Sequence, residues 1–546
     1  TAARGPPPWR RNFSQLVVVC SMTAIVGATL QLNKLAVLDG AGREFAQTSY
    51  GSKTAFLVPY ALFKAACNLL VGGLADRHGR KSIALAGSLV GLVPPVMVLA
   101  ASGKGGDGEG WPAFVGSAAF LGVHQGVTWT CCVLITMDLC GPNARGLASG
   151  LSETVGYTFI AIFAEAYGAL ERKSVTCAWD PADVPTSECL EASRGKCDTP
   201  DDWVAECTGQ CVCVGYAVAP FALQLALAAV GVGVAAAALR ESRQAPSRAA
   251  ADSDNATELS ARVPRDDRSS RDARKLLAAA KTGAFVELEA LEADDDALLE
   301  RDASGEMSAE KENDFEASSD TRDFRAERLS VSFAHATWGN RALAVVCVAG
   351  FCANFETGMA WGLLASWSRD GLGIGGARRD AFMASYSFLK GFSQLAAGIF
   401  SDRVGRRWPM SVGLLGGAAS LLLAAFGAGY DGAYLSSETR GDTEEHALDA
   451  RFANLMASGV LLGLFTGLMY PVLAAAAADH APGGALAGTV GTVRFWRDLG
   501  YAMGMPVAAI ADASRPETAL IFVACVMAAA GALVAVAYVE KHPHRA

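Results

Sequence analysis

The chain has 546 residues, of which 51% are hydrophobic and only 18% are charged, and its mean hydropathy is +0.26. This composition is too apolar for a typical soluble enzyme of this length. The net charge of −9 comes from one segment, residues 241–333, which contains 14 basic and 23 acidic residues. The rest of the chain is neutral, so its composition excludes a nucleic-acid binder. We identify no targeting segment in the sequence, which starts at Thr1.

Twelve apolar runs are long enough to cross a bilayer, whose core of roughly 30 Å needs about 20 residues of helix. The runs are residues 13–38, 54–75, 82–102, 112–140, 147–170, 214–239, 341–366, 379–400, 408–428, 452–478, 487–512 and 518–539. A large soluble bundle would need polar faces at helical period, which most of these runs lack. The sequence therefore predicts an all-α polytopic membrane protein, with six spans on each side of the acidic segment.

The acidic segment, residues 240–340, is rich in Ala, Ser, Asp, Glu and Arg and has almost no aromatic residues before Phe285. Such a composition cannot bury enough surface to fold alone, which indicates a disordered, solvated linker. Within it, residues 275–291 have the pattern of one amphipathic helix. The predicted organisation is an N-terminal half over residues 1–239, this linker, and a C-terminal half over residues 341–546.

A cysteine-rich loop, residues 171–213, joins spans 5 and 6. Six of the 14 cysteines of the chain lie in it: Cys177, Cys189, Cys197, Cys207, Cys211 and Cys213. With a cytosolic N-terminus this loop is outside the cytosol, where disulfides persist. Three bridges have 15 connectivities, among which the sequence does not choose. Cys211 and Cys213 are too close for the C-x-x-C spacing of a zinc site, so we expect a disulfide-stabilised loop, with a vestibule cap or partner site as the alternative.

An internal repeat relates the second run to the eighth at a constant offset of 326 residues. The sequence AFLVPYALFKAACNLLVGGLADRHGRK from Ala55 matches AFMASYSFLKGFSQLAAGIFSDRVGRR from Ala381. The identical pairs include Ala55/Ala381, Phe56/Phe382, Tyr60/Tyr386, Lys64/Lys390, Gly72/Gly398, Asp76/Asp402, Arg77/Arg403, Gly79/Gly405 and Arg80/Arg406. A duplicated half with six spans places a central site at the interface between the halves.

The segments GGLADRHGRK and GIFSDRVGRR resemble the two copies of the loop signature G-x-L-x-D-R-x-G-R-[RK] of the major facilitator superfamily. The segments GVHQGVTW, DLCGPNARGLASGLSETVGY, NFETGMAWGLL and RFWRDLGYAMG resemble a poorly characterised branch of it. The resemblance covers nearly the whole chain except the linker and the cysteine-rich loop, and implies that superfamily's twelve-helix fold in two pseudo-symmetric halves. Where a proton-coupled branch has an arginine three residues before the Gln-Gly of span 4, this chain has Gly122, which argues against drug/proton antiport by that arginine.

The resemblance also implies that ion pairs at the signature loops latch one conformation of the protein. We expect Arg80 to pair with Asp138 and Arg406 with Asp479. The alternative role of these charges is ordinary anchoring at the cytosolic rim of the membrane. The predicted gating residues are Gly72, Asp76, Arg77, Gly79, Arg80, Asp138, Arg145, Gly398, Asp402, Arg403, Gly405, Arg406 and Asp479.

Two lysines are predicted near the bilayer centre, because Lys64 and Lys390 each lie twelve residues, about 18 Å of helix, before the aspartate of a signature loop. Each belongs to a polar stripe with i, i+4 spacing. The stripes are Tyr60/Lys64/Asn68 and Tyr386/Lys390/Gln394. A charge at this depth must face a partner or water. Glu356 has a similar depth, about 22 Å, so we expect it to be the first partner of Lys390.

Four basic and four acidic groups are candidates for the centre of the bundle: Lys64, Lys390, Arg494 and Arg497 with Glu153, Glu165, Glu356 and Asp498. They bind an anionic substrate group and couple transport to protons, or they neutralise one another and hold the helices. His124, Gln125 and Trp129 are further cavity candidates, although a lone His in a helix also suits packing. The predicted cavity residues are Lys64, Lys390, Glu356, Tyr60, Tyr386, Asn68, Gln394, His124, Gln125, Trp129, Glu153, Arg494, Arg497 and Asp498.

The predicted function is a secondary active or facilitative transporter of a small organic solute by alternating access, with protons as one option for the coupling ion. A non-transporting sensor or scaffold with the same fold is the alternative, and a membrane-embedded enzyme is a distant third because the spans contain no nucleophile and base pair. No G-x-x-x-x-G-K-[ST] motif is present, which argues against direct ATP drive. We predict no metal, no cofactor and a monomer whose partners are its substrate and the lipid bilayer.

The sidedness prediction puts both termini and the linker in the cytosol. The distribution of positive charge supports it mildly, because the arginines of the signature loops face in while Arg369, Arg378, Arg379 and Arg440 face out. The sequon at Asn255 lies in the linker, so this topology predicts that it is not glycosylated.

Overall fold

The computed structural model describes residues 8–44, 49–101, 110–174, 176–179, 211–214, 218–242, 333–374, 376–428, 440–482, 485–504, 506–507, 510–511 and 515–541. Long helices occupy the twelve predicted runs and are numbered here in chain order. They are α1 (Phe13–Glu44), α2 (Leu57–His78), α3 (Arg80–Val90 and Val93–Ala101), α4 (Trp111–Cys140), α5 (Arg145–Ser174), α6 (Val218–Ala237), α7 (Arg341–Met359, continued to Asp370), α8 (Gly376–Val404), α9 (Arg407–Ala428), α10 (Arg440–His480), α11 (Leu486–Gly504) and α12 (Pro516–Ala537). Short helices at Pro8–Arg11 and Tyr50–Thr54 precede α1 and α2.

Ten of these helices are long and apolar enough to cross a membrane by length and composition. The other two, α8 and α11, carry buried Lys390, Arg494, Arg497 and Asp498, so their hydropathy alone does not mark them as spans. The all-α polytopic fold that the sequence predicts is confirmed. The main difference in helix length is at α10, which begins at Arg440, twelve residues before the predicted start.

The third span is broken into two helical pieces between Val90 and Val93, whereas the sequence predicts one continuous helix. Pro94 and Pro95 follow the break directly. Proline lacks the N–H that would bond four residues back, and its ring collides with the carbonyl there. The last turn of the first piece closes instead through Gly91 N to Gly87 O at 3.3 Å and Leu92 N to Leu89 O at 3.2 Å.

The duplication is repeated in the contacts between helices. In the first half, Gly122 and Gly126 of α4 lie against the carbonyl oxygens of Tyr60 and Lys64 in α2. In the second half, Gly463 and Gly467 of α10 lie against the carbonyl oxygens of Tyr386 and Lys390 in α8 in the same way. Glycine at these four positions lets the backbones approach closely, which is how helices pack in lipid.

The two halves meet along two helix pairs. Gly72 of α2 lies against the carbonyl oxygen of Ala487 in α11, and its repeat partner Gly398 of α8 lies against that of Gly146 in α5. Both contacts are close to the loops at Gly79 and Gly405. We call this end of the bundle, where these two loops lie, the signature end. The halves are therefore in backbone contact at the signature end.

Part of the cysteine-rich loop forms a two-stranded antiparallel sheet, with β1 at Thr176–Trp179 and β2 at Cys211–Val214. Cys177 is in register with Cys213. The remaining predicted bridge positions, Cys189, Cys197 and Cys207, lie outside the described residues, and disulfide formation stays a prediction. The predicted linker likewise lies outside them except for residues 240–242 and 333–340.

Candidate functional site

Asp498 of α11 is the centre of a buried polar cluster between the halves. Its Oδ1 lies 3.1 Å from the Nζ of Lys64 in α2 and accepts a hydrogen bond of 2.8 Å from Asn354 Nδ2 in α7. Asn68, one turn after Lys64, donates to its other oxygen. The Nε of Arg497 lies 3.6 Å away. The side chain of Asp498 is completely buried, so these contacts supply the partners that an intramembrane carboxylate needs.

A second ion-pair group joins α5 to α11. Glu153 Oε1 lies 3.4 Å from Nη1 of Arg494 and 3.7 Å from Nη1 of Arg497. Gly150 in α5 and Gly491 in α11 lie against the carbonyls of Gln394 and Asn68, respectively, which are repeat-related positions. Glu153 and Arg494 each follow these glycines by three residues, so opposite charges at equivalent positions of the two halves pair across the interface.

Lys390 and Glu356 do not form a direct ion pair within the part of the chain that the structure describes. Lys390 Nζ donates to Thr357 Oγ1 at 2.9 Å and to the hydroxyl of Tyr386 at 3.1 Å. Those two hydroxyl groups in turn lie 2.9 Å and 3.4 Å from the Glu356 carboxylate. The predicted neighbourhood is therefore present, but the two charges interact through hydroxyl groups. Lys390 also lies 4.2 Å above the ring of Tyr470, which is a favourable position for a cation.

The buried charges at the centre are not balanced in the way the sequence suggested. Glu165, one of the four predicted acidic partners, is exposed. Lys34 of α1, which the sequence analysis did not select, is 6% exposed and donates to the hydroxyl of Tyr501 at 2.6 Å. The described central cluster thus holds five basic side chains and three acidic ones. The basic members are Lys34, Lys64, Lys390, Arg494 and Arg497, and the acidic members are Glu153, Glu356 and Asp498.

A narrow cavity lies within this cluster. Five charged side chains line it: Lys34, Lys64, Glu153, Arg494 and Arg497. Its other walls are Leu30, Gln31, Tyr60, Gln125, Trp129, Tyr157, Ile160, Asn354, Thr357, Tyr470 and Tyr501. Helices from both halves contribute, so the cavity lies at the interface that the repeat predicts. Gln31, Tyr157, Tyr470, Tyr501, Asn354 and Thr357 were not predicted, because uncharged polar residues in a span carry no strong signal in the sequence.

Several predicted cavity residues do not line this cavity. The ring of His124 faces α3, where its Nδ1 lies 2.8 Å from the carbonyl oxygen of Gly87, in agreement with the packing interpretation. Gln394 is fully buried against the other half. Asn68, Asp498, Glu356, Tyr386 and Lys390 lie behind the lining residues and hold them by the contacts described above. A side chain at Gly122 would overlap the carbonyl of Tyr60, so this position has no room for an arginine.

The signature end carries the two predicted ion pairs. Arg80 Nη1 lies 3.0 Å from Asp138 Oδ2, and Arg406 Nε lies 2.8 Å from Asp479 Oδ2. Arg406 also pairs with Asp402 at 2.8 Å. Burial alone would lower the pKa of Arg406, but the carboxylates of Asp479 and Asp402 hold that pKa above the ordinary value of an arginine.

Two contacts at the signature end cross between the halves. Asp402 of α8 accepts hydrogen bonds from Gly146 N at 3.0 Å and Leu147 N at 2.9 Å, and so caps the N-terminus of α5. Arg145 donates to the carbonyl of Ala478 at 2.6 Å and lies 3.3 Å from Asp479. These contacts hold the signature end closed with hydrogen bonds and ion pairs, which exchange with water more readily than packed apolar surface.

The remaining predicted gating residues have separate positions. Gly79 and Gly405 turn the chain between helices with φ of 85° and 101°, a conformation that favours glycine. Arg77 and Arg403 are exposed, and the side chain of Asp76 lies outside the described residues. The sequence analysis missed Glu241 and Glu540. Glu241 accepts from the backbone N of Arg80 and Lys81, and Glu540 accepts from that of Arg406 and Arg407.

No group of three His, Cys, Asp or Glu side chains within the described ranges is placed to hold a metal ion. The site is a polar, charged cavity between two helical halves, which are in contact at the signature end.

Comparison with known proteins identifies the family to which this architecture belongs. Residues 14–169 and 346–546 match the family model of the Major Facilitator Superfamily. No curated protein sequence matches the chain.

Several solved structures share the fold over nearly the whole length. The xylose transporter XylE from E. coli is 10% identical, with 97% of this chain and 98% of that chain covered and a TM-score of 0.56. The E. coli fucose:proton symporter FucP is 12% identical, with coverages of 95% and 98% and a TM-score of 0.53. A POT family transporter in complex with 5-aminolevulinic acid is 12% identical, with coverages of 98% and 97% and a TM-score of 0.55. At these identities the likeness is one of fold.

Proposed function

This chain belongs to the major facilitator superfamily and is a multi-pass membrane protein. We propose that it is a transporter, which moves a small organic solute by alternating access to the central cavity. The observation that carries the proposal is the set of polar contacts that join the halves around that cavity. Lys64 pairs with Asp498, Glu153 with Arg494, and Lys34 donates to Tyr501, each contact crossing from one half to the other. A rocking motion would break and remake such contacts, and a bound solute would replace them.

The signature end supports the same proposal. Its closure depends on the cap that Asp402 provides for α5 and on the hydrogen bonds of Arg145. The backbone contacts of Gly72 with Ala487 and of Gly398 with Gly146 close the same end. An open state would give up all of these contacts, and a ligand that binds the two states differently shifts the equilibrium between them. In this proposal the signature end is cytosolic, the halves are residues 1–239 and 341–546, and the gating residues named above control its opening.

Glu356 is the side chain that we assign to proton coupling. It is fully buried and reaches Lys390 only through the hydroxyls of Thr357 and Tyr386. A proton on Glu356 would remove the negative charge that stabilises Lys390 and so change the charge of the site during transport.

The test measures distances between spin labels at His78→Cys and Val404→Cys, which are repeat-related, exposed positions at the signature end. Cys525, an exposed thiol, is replaced by Ser, and protein with that change alone reports the background labelling. We expect two distance populations, because the closed state exchanges with one open at the signature end. Lower pH should change their ratio in the wild type but not in Glu356→Gln. A single distance unaffected by pH would contradict alternating access and favour the scaffold alternative.

A further inference from the structure

The charges that line the cavity are strongly unequal in sign. Lys34, Lys64, Arg494 and Arg497 contribute four basic groups, and Glu153 is the one acidic group among the described lining residues. Asp498 and Glu356 do not line the cavity, and their carboxylates are engaged by Lys64, Asn354 and Asn68 and by Thr357 and Tyr386. A solute in the cavity therefore meets a surface with an excess of positive charge.

The excess is concentrated at the arginines of α11. Arg494 and Arg497 share one carboxylate oxygen, Glu153 Oε1, at 3.4 Å and 3.7 Å. Arg497 has further partners, since it lies 3.6 Å from Asp498 and 5.5 Å from the ring of Tyr470. Arg494 has only the shared oxygen among the ion pairs of the described residues. One guanidinium charge at this point is thus incompletely compensated, which is costly for a side chain that is 2% exposed.

Hydrogen-bond donors without partners line the same cavity. Within the described residues, the Nε of Arg494, the indole Nε1 of Trp129 and the amide group of Gln31 are buried and make no hydrogen bond. Buried donors are nearly always paired in folded proteins, and an unpaired one costs free energy. These donors, one of which belongs to the incompletely compensated guanidinium itself, suit acceptor oxygens with negative charge. A carboxylate supplies such oxygens in the geometry that arginine prefers.

We propose that the solute is a small organic anion whose carboxylate binds Arg494, with Gln31 and Trp129 as further donors. This inference rests on the proposed function for the transport step and names the chemical class of its substrate. The aromatic walls, Tyr157 and Tyr470, form an edge-to-face pair at 6.2 Å and provide apolar surface for the carbon part of the solute. Lys34 and Lys64 provide a second positive region beside Tyr60 and Tyr501, within 5.8 Å of both rings, where a second acidic group of the solute would bind.

The experiment measures thermal stabilisation of the purified full-length protein by acetate, succinate and citrate, with succinamide and 1,4-diaminobutane as neutral and cationic analogues of succinate. We expect at least one carboxylate, and neither analogue, to raise the melting temperature. Arg494→Gln should weaken the fitted affinity by at least about tenfold, since it removes a charge-assisted hydrogen bond. Arg494→Lys should retain part of it. Arg378→Gln, which removes a basic residue at the surface, is the matched control and should leave the affinity unchanged.

Glu153→Gln decides between the proposal and a purely structural role. Removing this carboxylate raises the positive charge of the cavity and frees both arginines, so we expect tighter binding of the anion even if the variant melts at a lower temperature. A site for cations, or charges that only hold the helices together, predicts no such gain. Stabilisation by 1,4-diaminobutane or succinamide alone, or by none of the three carboxylates, would overturn the proposal. Two spin-label populations in the same preparation would then show that alternating access stands without it.

Discussion

Asp498 and Asp449 show how differently two aspartates contribute to one molecule. Asp498 is completely buried and meets Lys64, Arg497 and Asn354. Asp449 pairs with Arg378 at 3.0 Å, but its side chain is 54% exposed and that of its partner 43%. Water screens the second pair, and exposed pairs of this kind contribute at most about 1 kcal/mol. In the buried pair of Asp498 and Lys64, removal of the aspartate charge leaves the lysine charge in an interior that cannot solvate it.

We therefore predict that Asp498→Asn lowers the free energy of unfolding by roughly 3–5 kcal/mol. Asp449→Asn, the matched control, should change it by less than about 1 kcal/mol. Thermal unfolding in detergent measures both. Adding Lys64→Gln to Asp498→Asn should recover part of the loss, because it removes a stranded positive charge. Equal effects of the two single substitutions would show that Asp498 is solvated in the folded protein.

The sequence predicted which residue types lie at the centre but not how they pair. Intramembrane charge selected Lys64, Lys390, Glu153 and Asp498, and all four are buried. The same rule applies to Lys34, whose single charge within an otherwise apolar run was overlooked. Pairing depends on how neighbouring helices pack and turn their side chains, which rise per residue does not give. Glu356 and Lys390 have similar depth, yet hydroxyl groups lie between them.

At the level of helices, glycine positions determine how closely neighbours pack. A methyl group on Gly122 of α4 would overlap the carbonyl oxygen of Tyr60 in α2, whereas one on Gly73 of α2 would have nothing within 4 Å. Both glycines lie inside long helices. The helix propensity gained with alanine is the same at the two sites, and only the packing differs.

This contrast predicts opposite effects of the same substitution. Gly122→Ala should lower the free energy of unfolding by about 1–3 kcal/mol, because backbone must move to accept the methyl group. Gly73→Ala should be neutral or stabilise by up to about 1 kcal/mol. Melting temperatures of the two variants, measured side by side, check the prediction. If both variants were stabilised, the close contact between α2 and α4 would be wrong.

The helices were predictable to different degrees, for physical reasons. All twelve lie in apolar runs of the sequence, but charged and polar side chains lower the hydropathy of α8 and α11, so that only ten of the described helices are apolar enough to cross a membrane by composition. The repeat supports α8 independently. The break in α3 follows from Pro94 and Pro95, whose effect the apolar pattern does not register. The early start of α10 at Arg440 was missed because the extension is polar, and helices that continue beyond a membrane leave no hydrophobic signal.

At the scale of the whole molecule, closure of the signature end depends on two equivalent backbone contacts, Gly72 with Ala487 and Gly398 with Gly146. The repeat predicted Gly72 and Gly398 as an equivalent pair. Their partners, Ala487 in α11 and Gly146 in α5, follow only from the docking of the halves. Because each glycine touches the opposite half, a larger side chain there acts on the equilibrium between states and leaves the interior of each half intact.

We predict that Gly398→Leu shifts the protein towards the state open at the signature end. Leucine cannot fit against Gly146, and overpacking of about 1–3 kcal/mol changes the ratio of states by roughly five- to 150-fold. The leucine destabilises only the closed state, because the open state has already given up this contact and the cap that Asp402 gives α5. Labels at His78→Cys and Val404→Cys should therefore report mainly the longer distance.

Gly73→Leu is the matched control, since a side chain at that exposed position meets nothing within 4 Å. It should leave the distance distribution unchanged. A carboxylate that stabilises the wild type should still bind Gly398→Leu, because the cavity residues are untouched, and its affinity will reveal which state it prefers. If Gly398→Leu instead unfolds the protein at the temperature where Gly73→Leu is stable, the contact belongs to a fixed core. The two halves would then form one rigid unit, and the alternating motion would have to be placed elsewhere in the bundle.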